Sequence, residues 1–589
     1  MTPEPEPTPR DWWKSAVVYQ VYPRSFADSD GDGIGDIPGI RQHLDHLENL
    51  GVDVVWLSPI YRSPMDDNGY DISDYHDVDP SFGTLDDLDG LIADLHARGM
   101  KLVMDLVVNH TSSAHQWFQE SRSSRDDPKR DWYWWRPARP GHTGGEPGAE
   151  PTNWGSAFSE SAWTYDPGTD EYYLHIFAAS QPELNWENPE VRQAVYAMMN
   201  WWLDRGVDGF RMDVINLISK VVHDDPPDLR DGVVGGPDRQ AGPIDTVRFG
   251  DPGPYVLHGP RVHEFLQEMH QAVFAHRPAG LLTVGETPAT TVEQGLLYTD
   301  PARGELDMVF QFEHVDLDSG PGGKWDVVPM TPADLMASLA RWQEGMGDVG
   351  WNSLYLGNHD QPRCVSRFGD DSPEHRVRSA KALATVLHLH RGTPYIYQGD
   401  ELGMTNAPFR DIHDTRDIES HNAYRAALSR GLDAEQAMAA IRYKGRDNAR
   451  TPMQWDATEH AGFTTGFPWI EVHPDHVTVN VATQADDPDS VLAHHRRLIG
   501  LRHQEPVVVH GSFATVPLDD DRVHAFVRRL DGRELLVVAN LSSDDALEAA
   551  LPDAADWLDA ELVLSNAGQP DEQERIVLGP WEARVYRRG

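Results

Sequence analysis

A single cysteine, Cys364, occurs in 589 residues. One thiol cannot close an internal disulfide, so burial and hydrogen bonding must hold the fold, and a reducing cytoplasm is the expected compartment. No helix start or base neighbours Cys364 in sequence, which favours an inert thiol over a nucleophile. Long apolar runs are also missing: none approaches the ~20 residues of a membrane span. Met1 to Arg10 is rich in Pro and Glu and lacks a basic start and an apolar centre, so no secretory signal is expected. Positive charge is scarce as well. Fifty basic residues face 95 acidic ones, leaving a formal charge of −45 at pH 7. That field repels phosphate backbones and anionic lipid, which argues against nucleic acid and membrane as partners and leaves a neutral small molecule compatible. The chain is expected to be a monomer or a weak homo-oligomer.

What the chain does contain is a series of short apolar runs that end in polar residues. Eight are strand candidates: Val17 to Tyr22, Val52 to Ser58, Lys101 to Asn109, Val207 to Asp213, Leu281 to Glu286, Met308 to Glu313, Ser353 to His359 and Pro394 to Gly399. Consecutive apolar positions imply cover on both faces, the signature of buried parallel strands. Helical spacing fills most intervals, as in Leu85 to Arg98 and Asn188 to Asp204. This alternation predicts an α/β fold, a (β/α)₈ TIM barrel, over residues 11–110 and 185–505. Residues 111–184, with Trp132-Tyr133-Trp134-Trp135, form an insertion after the third strand and are expected to be a lid subdomain over the active face. A further insertion, Val222 to Pro260, is rich in Asp, Pro and Gly and borders the pocket or is plain surface. From 506 to 589 short alternating segments predict a C-terminal all-β domain, a sandwich.

Charged groups at strand ends gather at one rim of such a barrel. Asp213, Glu286 and Asp360 end the fourth, fifth and seventh candidate strands and are expected to converge there. Two carboxylates flanking a bond suit glycosidic cleavage, one ionised as nucleophile and one protonated as acid, while a third favours a positively charged transition state. Arg211 lies two residues before Asp213, on the same strand face, where its charge keeps the aspartate ionised. His110 and His359, also at strand ends, are candidates for binding sugar hydroxyls.

Asp28-Ser29-Asp30-Gly31-Asp32-Gly33-Ile34-Gly35-Asp36 places oxygen ligands at alternate positions. Such a loop suits Ca2+, with Mg2+ as the alternative hard cation, and it is not an EF-hand because Gly39 stands at the twelfth position.

These segments together resemble the α-amylase family of glycoside hydrolases (family 13), in its oligo-1,6-glucosidase and α-glucosidase branch. The resemblance runs from about Trp12 to the C-terminus and rests on Asp105 to His110, Gly209 to Val214, Glu286, Asn358 to Asp360 and Gln181-Pro182-Glu183-Leu184-Asn185. It implies Asp213 as nucleophile, Glu286 as general acid/base and Asp360 as transition-state stabiliser of a retaining reaction. It also implies that Asp67, Tyr70, His110, Phe158, Phe177, Gln181, Arg211, His359 and Arg446 surround a terminal glucose, so that action is exo. By the same resemblance Asp28, Asp30, Asp32 and Asp36 hold the metal with the Ile34 carbonyl. Val214, after the nucleophile, accompanies α-1,6 activity in this branch, and α-1,4 activity remains open beside it. Glu183 departs from the aspartate usual in its motif. Transglucosylation or sucrose isomerisation on the same scaffold is the alternative function; a noncatalytic transporter subunit would need a membrane span and an incomplete catalytic set, and this chain has neither.

Overall fold

A computed structural model of the chain describes residues 11–158, 160–221, 231, 249–277, 280–544, 547–570 and 575–589. Most of the Val222 to Pro260 insertion therefore lies outside the described residues. The barrel strands are β1 (Val18–Val21), β2 (Val54–Leu57), β3 (Lys101–Leu106), β4 (Gly209–Met212), β5 (Leu282–Glu286), β6 (Met308–Phe310), β7 (Ser353–Leu354) and β8 (Thr393–Tyr397). They form one parallel sheet in the order β6-β5-β4-β3-β2-β1-β8-β7, and a parallel bridge from Val309 to Asn352 joins its two edges into a barrel. All eight apolar runs thus become strands, and all but β5 are shorter than predicted at their C-terminal ends. The chain there leaves the ladder, so Asp360 sits six residues past the end of β7 rather than directly after it.

Every residue of β1, β2, β4, β5 and β8 is buried, as two-sided cover requires. Alternate residues point inward and outward. Trp56 on β2 packs 5.5 Å from Phe310 on β6 across the lumen, while Val55 and Leu57 join the cluster that faces the helices. A buried side chain of this size contributes on the order of 2 kcal/mol. Close spacing of β4 and β5 depends on Gly209, since a Cβ there would stand 2.0 Å from the Leu282 carbonyl oxygen.

The helices include α1 (Leu85–Ala97), α2 (Pro189–Arg205), α3 (Arg376–Leu389), α4 (Ile418–Ser429) and α5 (Val491–Gln504). Thr84 and Asp87 close a capping box at the start of α1, and Asn188 caps α2, so each helix begins where a side chain can satisfy its first N–H groups. The lid contains a three-stranded antiparallel sheet, Trp135–Arg136, Glu171–Leu174 and Trp163–Asp166. Its core of Trp134, Trp154, Trp163, Tyr172 and Leu174 also takes in Val214 and Leu217 from the loop after β4. Residues beyond β8 end in a five-stranded antiparallel sheet, β9 (Ser512–Thr515), β10 (Val523–Leu530), β11 (Arg533–Asn540), β12 (Glu561–Ser565) and β13 (Ala583–Arg588). Period-two patterning gives it two apolar faces. Leu535, Val537 and Ala539 pack with residues of α3, whereas Leu536 and Val538 lie under a ribbon carrying Leu547 and Leu578.

Candidate active site

One cavity of about 420 Å³ opens at the C-terminal rim of the barrel, and Asp213, Glu286 and Asp360 all line it. Asp67, Tyr70, His110, Phe158, Phe177, Gln181, Val214 and Arg446 line it as well. Two expected sugar contacts, Arg211 and His359, lie behind this wall instead, 1% and 0% exposed. Each acts on the carboxylates. Arg211 Nη1 donates to Asp213 Oδ1 at 2.7 Å and to Asp105 Oδ1 at 2.8 Å, and Nη2 stands 2.6 Å from Glu286 Oε1. One guanidinium therefore serves three carboxylates. Burial raises the pKa of both Asp213 and Glu286, and Arg211 opposes that rise in both. Sharing one cation between them favours a single proton held by the pair, the protonation state that acid catalysis beside an ionised nucleophile needs.

Val214 follows Asp213 with φ 35° and ψ 43°, a left-handed conformation that is costly for a β-branched residue. The turn aims the Val214 N–H at Glu286 Oε2, 3.1 Å away, so backbone strain fixes the spacing of the two central carboxylates.

Asp360 has a different environment. Burial pushes its pKa up, but His359, Arg446 and Arg450 outweigh burial and hold it far below the usual carboxylate range. Arg450 Nη2 donates to Asp360 Oδ1 at 2.7 Å and Arg450 Nε to the His359 carbonyl at 3.0 Å. Gln20 Nε2 stands 2.8 Å from His359 Nδ1, which makes Nδ1 the acceptor and leaves the ring proton on Nε2, 3.3 Å from Asp360 Oδ2. Burial drives the His359 pKa down to about 3 and that of His110 to about 4, so both rings are neutral at neutral pH.

At the pocket's inner end Arg446 Nη2 donates to Asp67 Oδ1 at 3.0 Å, and Gln181 Nε2 donates to Asp67 Oδ2 at 3.0 Å. Tyr70 stacks on His359 with centroids 5.1 Å apart and donates its hydroxyl to Asp105 Oδ2 at 2.9 Å. Phe158 lies under the Arg446 guanidinium, 5.0 Å away. Glu183, which departs from its motif, pairs with Lys220 Nζ at 2.8 Å, both side chains fully buried, and Lys220 also donates to Asn109 Oδ1 at 2.9 Å. This pair joins the lid to the barrel beside His110, where loss of either partner would strand a buried charge.

Several participants were not singled out from sequence: Asp105, Arg450, Asp417 and the cavity-lining Asp251, Asp316, Lys324 and Glu419. Asp105 sits inside the segment Asp105 to His110 already marked as a motif, and Arg450 lies one helical turn after the expected Arg446. Asp251 and its neighbours belong to the described end of the second insertion, which settles that this part borders the pocket.

Away from the cavity, Asp28, Asp30 and Asp36 each bring a carboxylate oxygen within 4.8 Å of the other two, and Asp32 stands outside that group. Asp28 Oδ1 accepts the Gly31 N–H at 2.8 Å and Oδ2 that of Gly33 at 2.8 Å; Asp36 Oδ2 accepts from Ser29. Burial works to raise the Asp28 pKa, yet the Thr464 hydroxyl and these N–H donors lower it overall. The donor set is all hard oxygen, which fits Ca2+.

Residues 20–511 match the alpha amylase catalytic domain. The chain belongs to the α-amylase family of glycoside hydrolases. Among its α-amylase-family relatives, an oligo-1,6-glucosidase of Parageobacillus thermoglucosidasius is 55% identical over 98% of this chain and 99% of its own length, and one of Halalkalibacterium halodurans is 53% identical over 98% of each. Among solved structures of the family, the trehalose-6-phosphate hydrolase of Bacillus licheniformis superposes with a TM-score of 0.89 at 43% identity, covering 98% of this chain and 99% of that one. The trehalulose synthase MutB of Pseudomonas mesoacidophila gives 0.88 at 42% identity, with the same coverage.

Proposed function

We propose that this chain is a retaining, exo-acting α-glucosidase that releases terminal nonreducing α-glucose from short oligosaccharides, with α-1,6 activity of the isomaltose type and α-1,4 activity beside it. The supporting observation is the single cavity that Asp213, Glu286 and Asp360 share, with the Asp67–Arg446 ion pair at its inner end. The full-length oligo-1,6-glucosidase relatives support the same reading.

In this mechanism the ionised Asp213 attacks C1 of the terminal glucose. The C1–O bond breaks as Glu286 gives its proton to the departing oxygen, and a glucosyl ester forms. Water then attacks C1, yielding its proton to Glu286 and freeing Asp213. Arg211 touches both carboxylates throughout and so damps the charge change at each. Asp360, held ionised by Arg446 and Arg450, faces the positive charge that develops on the ring. When a sugar hydroxyl replaces water the result is transglucosylation, and the likeness to a trehalulose synthase makes a transglucosylase or sucrose isomerase the second reading.

A kinetic panel of isomaltose, maltose, panose, sucrose and an aryl α-glucoside, with the product anomer read by NMR, tests the assignment. Release of α-glucose from isomaltose and the aryl glucoside supports it; β-glucose as first product, or no release, overturns it. Isomaltulose or trehalulose as the main product from concentrated sucrose would favour the second reading.

The reading includes one structural Ca2+ held by Asp28, Asp30 and Asp36 with the Ile34 carbonyl, a set that Asp32 would join only by turning away from the Ile34 N–H that it now accepts; the ion would tie the loop after β1 together. It also includes a monomer or weak homo-oligomer, and cytoplasmic residence, for which the lone thiol of Cys364, with no disulfide, is the support.

A further inference from the structure

We propose that Asp417, a carboxylate that does not line the pocket, is the positioning residue that sets the two arginines gripping Asp67 and Asp360. The inference rests on the α-glucosidase reading above. Asp417 is 0% exposed and stands at the N-cap of α4, where its Oδ2 accepts the Ser420 N–H at 3.2 Å and the Ser420 hydroxyl at 2.9 Å. Its own N–H donates to Asp447 Oδ2 at 2.9 Å. The start of the helix thus anchors both oxygens, since Oδ1 also accepts the Glu419 N–H at 3.2 Å, and Oδ1 is the one that faces the arginines. It accepts from Arg446 Nε at 3.0 Å and Nη2 at 2.5 Å, and lies 3.7 Å from Arg450 Nη1.

Both guanidiniums reach from this one oxygen to the reacting end of the pocket. Arg446 Nη1 stands 3.2 Å from Asp360 Oδ1 and its Nη2 3.0 Å from Asp67 Oδ1, and Arg450 Nη2 is 2.7 Å from Asp360 Oδ1. Two cations held this close repel each other, and a fixed anion between them removes the repulsion and aims both forks. Glu419 Oε2 also faces Arg446 Nε, at 3.4 Å, but is itself bound to Lys324 at 2.6 Å. Asp447 Oδ1 lies 4.0 Å from Arg450 Nη1, farther than Asp417 Oδ1.

Asp417 could instead serve only to cap α4, and the two roles separate by substitution. Asn and Ser cap helices about as well as Asp but carry no charge. D417N and D417S are therefore expected to fold, shown by far-UV circular dichroism and a cooperative melt, yet to lose kcat/KM by roughly 10–100-fold. The loss should be equal for isomaltose and for an aryl α-glucoside with a good leaving group, because it lies in the grip on the glucose ring and not in proton transfer to the leaving oxygen. The inhibition constant of free glucose should rise in parallel. Kinetics within twofold of wild type in whichever of the two variants folds, or a loss confined to poor leaving groups, overturns the proposal. Absence of glucose release by the wild-type enzyme would instead sink the functional reading, and the two failures are told apart in the same assay.

Discussion

The molecule contains two gatherings of carboxylates, one assembled from distant strand ends and one within a single short loop, and they differ in what balances them. In the pocket, Arg211 contacts Asp105, Asp213 and Glu286, and Arg446 and Arg450 contact Asp360. The loop from Asp28 to Asp36 is held by backbone N–H groups and hydroxyls, and among the described residues no Lys or Arg pairs with Asp28, Asp30 or Asp36. Fixed side-chain cations keep a group of acids in defined charge states, which chemistry requires. A group without them has to draw its counter-charge from solution, which is how a cation site works.

If that contrast is right, the largest effects belong to the pocket. D213A should lower kcat by more than about 10⁴-fold and E286Q by about 10²–10⁴-fold, with melting temperatures close to wild type; near-normal turnover in either variant breaks the comparison at its centre. E286Q should also retain more activity on aryl glucosides, whose leaving groups depart without a proton. A smaller effect is expected at Val214, whose side chain lines the cavity. V214T should shift the ratio of kcat/KM for isomaltose over maltose toward maltose by about tenfold, the scale of a ~1–3 kcal/mol contact, and an unchanged ratio would remove Val214 from specificity.

The loop should respond to ions and not to substrate. Added Ca2+ at about 100 times its dissociation constant stabilises by ~2.7 kcal/mol, a rise of several degrees in melting temperature. D30A should abolish that rise while leaving KM for isomaltose unchanged, and a calcium shift that survives D30A places the ion elsewhere. The smallest effect expected concerns pH. His110 and His359 titrate near 6.5 when unfolded and at about 4 and about 3 when folded. Their contribution is complete above pH 6.5 and is lost as pH falls toward 4 and then 3. H110Q, neutral at every pH, should therefore melt with a shallower dependence between pH 7 and 4 than wild type; identical slopes would show that His110 is protonated in the native state.

Legibility in the sequence followed local geometry. The eight strands could be read because burial on both faces leaves unbroken apolar runs, and Arg211 with Asp213 because a two-residue step on a strand puts both side chains on one side; their 2.7 Å contact is the result. Asp105 is 0% exposed and accepts from Trp56, Tyr70 and Arg211, but nothing near it in sequence reveals that role, since its partners come from β2, the loop after β2 and β4. Arg450 and Asp417 are hidden for the same reason. Asp360 was expected directly at the end of a strand and lies six residues beyond it, because β7 stops pairing at Leu354.

The two-faced C-terminal sheet bears on how this enzyme can be handled. Leu535, Val537, Val585 and Phe526 share a packing cluster with Leu383 and Val386 of α3 and with Leu498 of α5, and the Arg528 guanidinium donates to the Leu389 carbonyl at the end of α3. Trimming the protein to a minimal barrel would therefore strip the cover from two of its own helices and yield sticky, insoluble material, so anyone shortening or fusing this chain should attach at the exposed C-terminus and leave residues 512–589 in place.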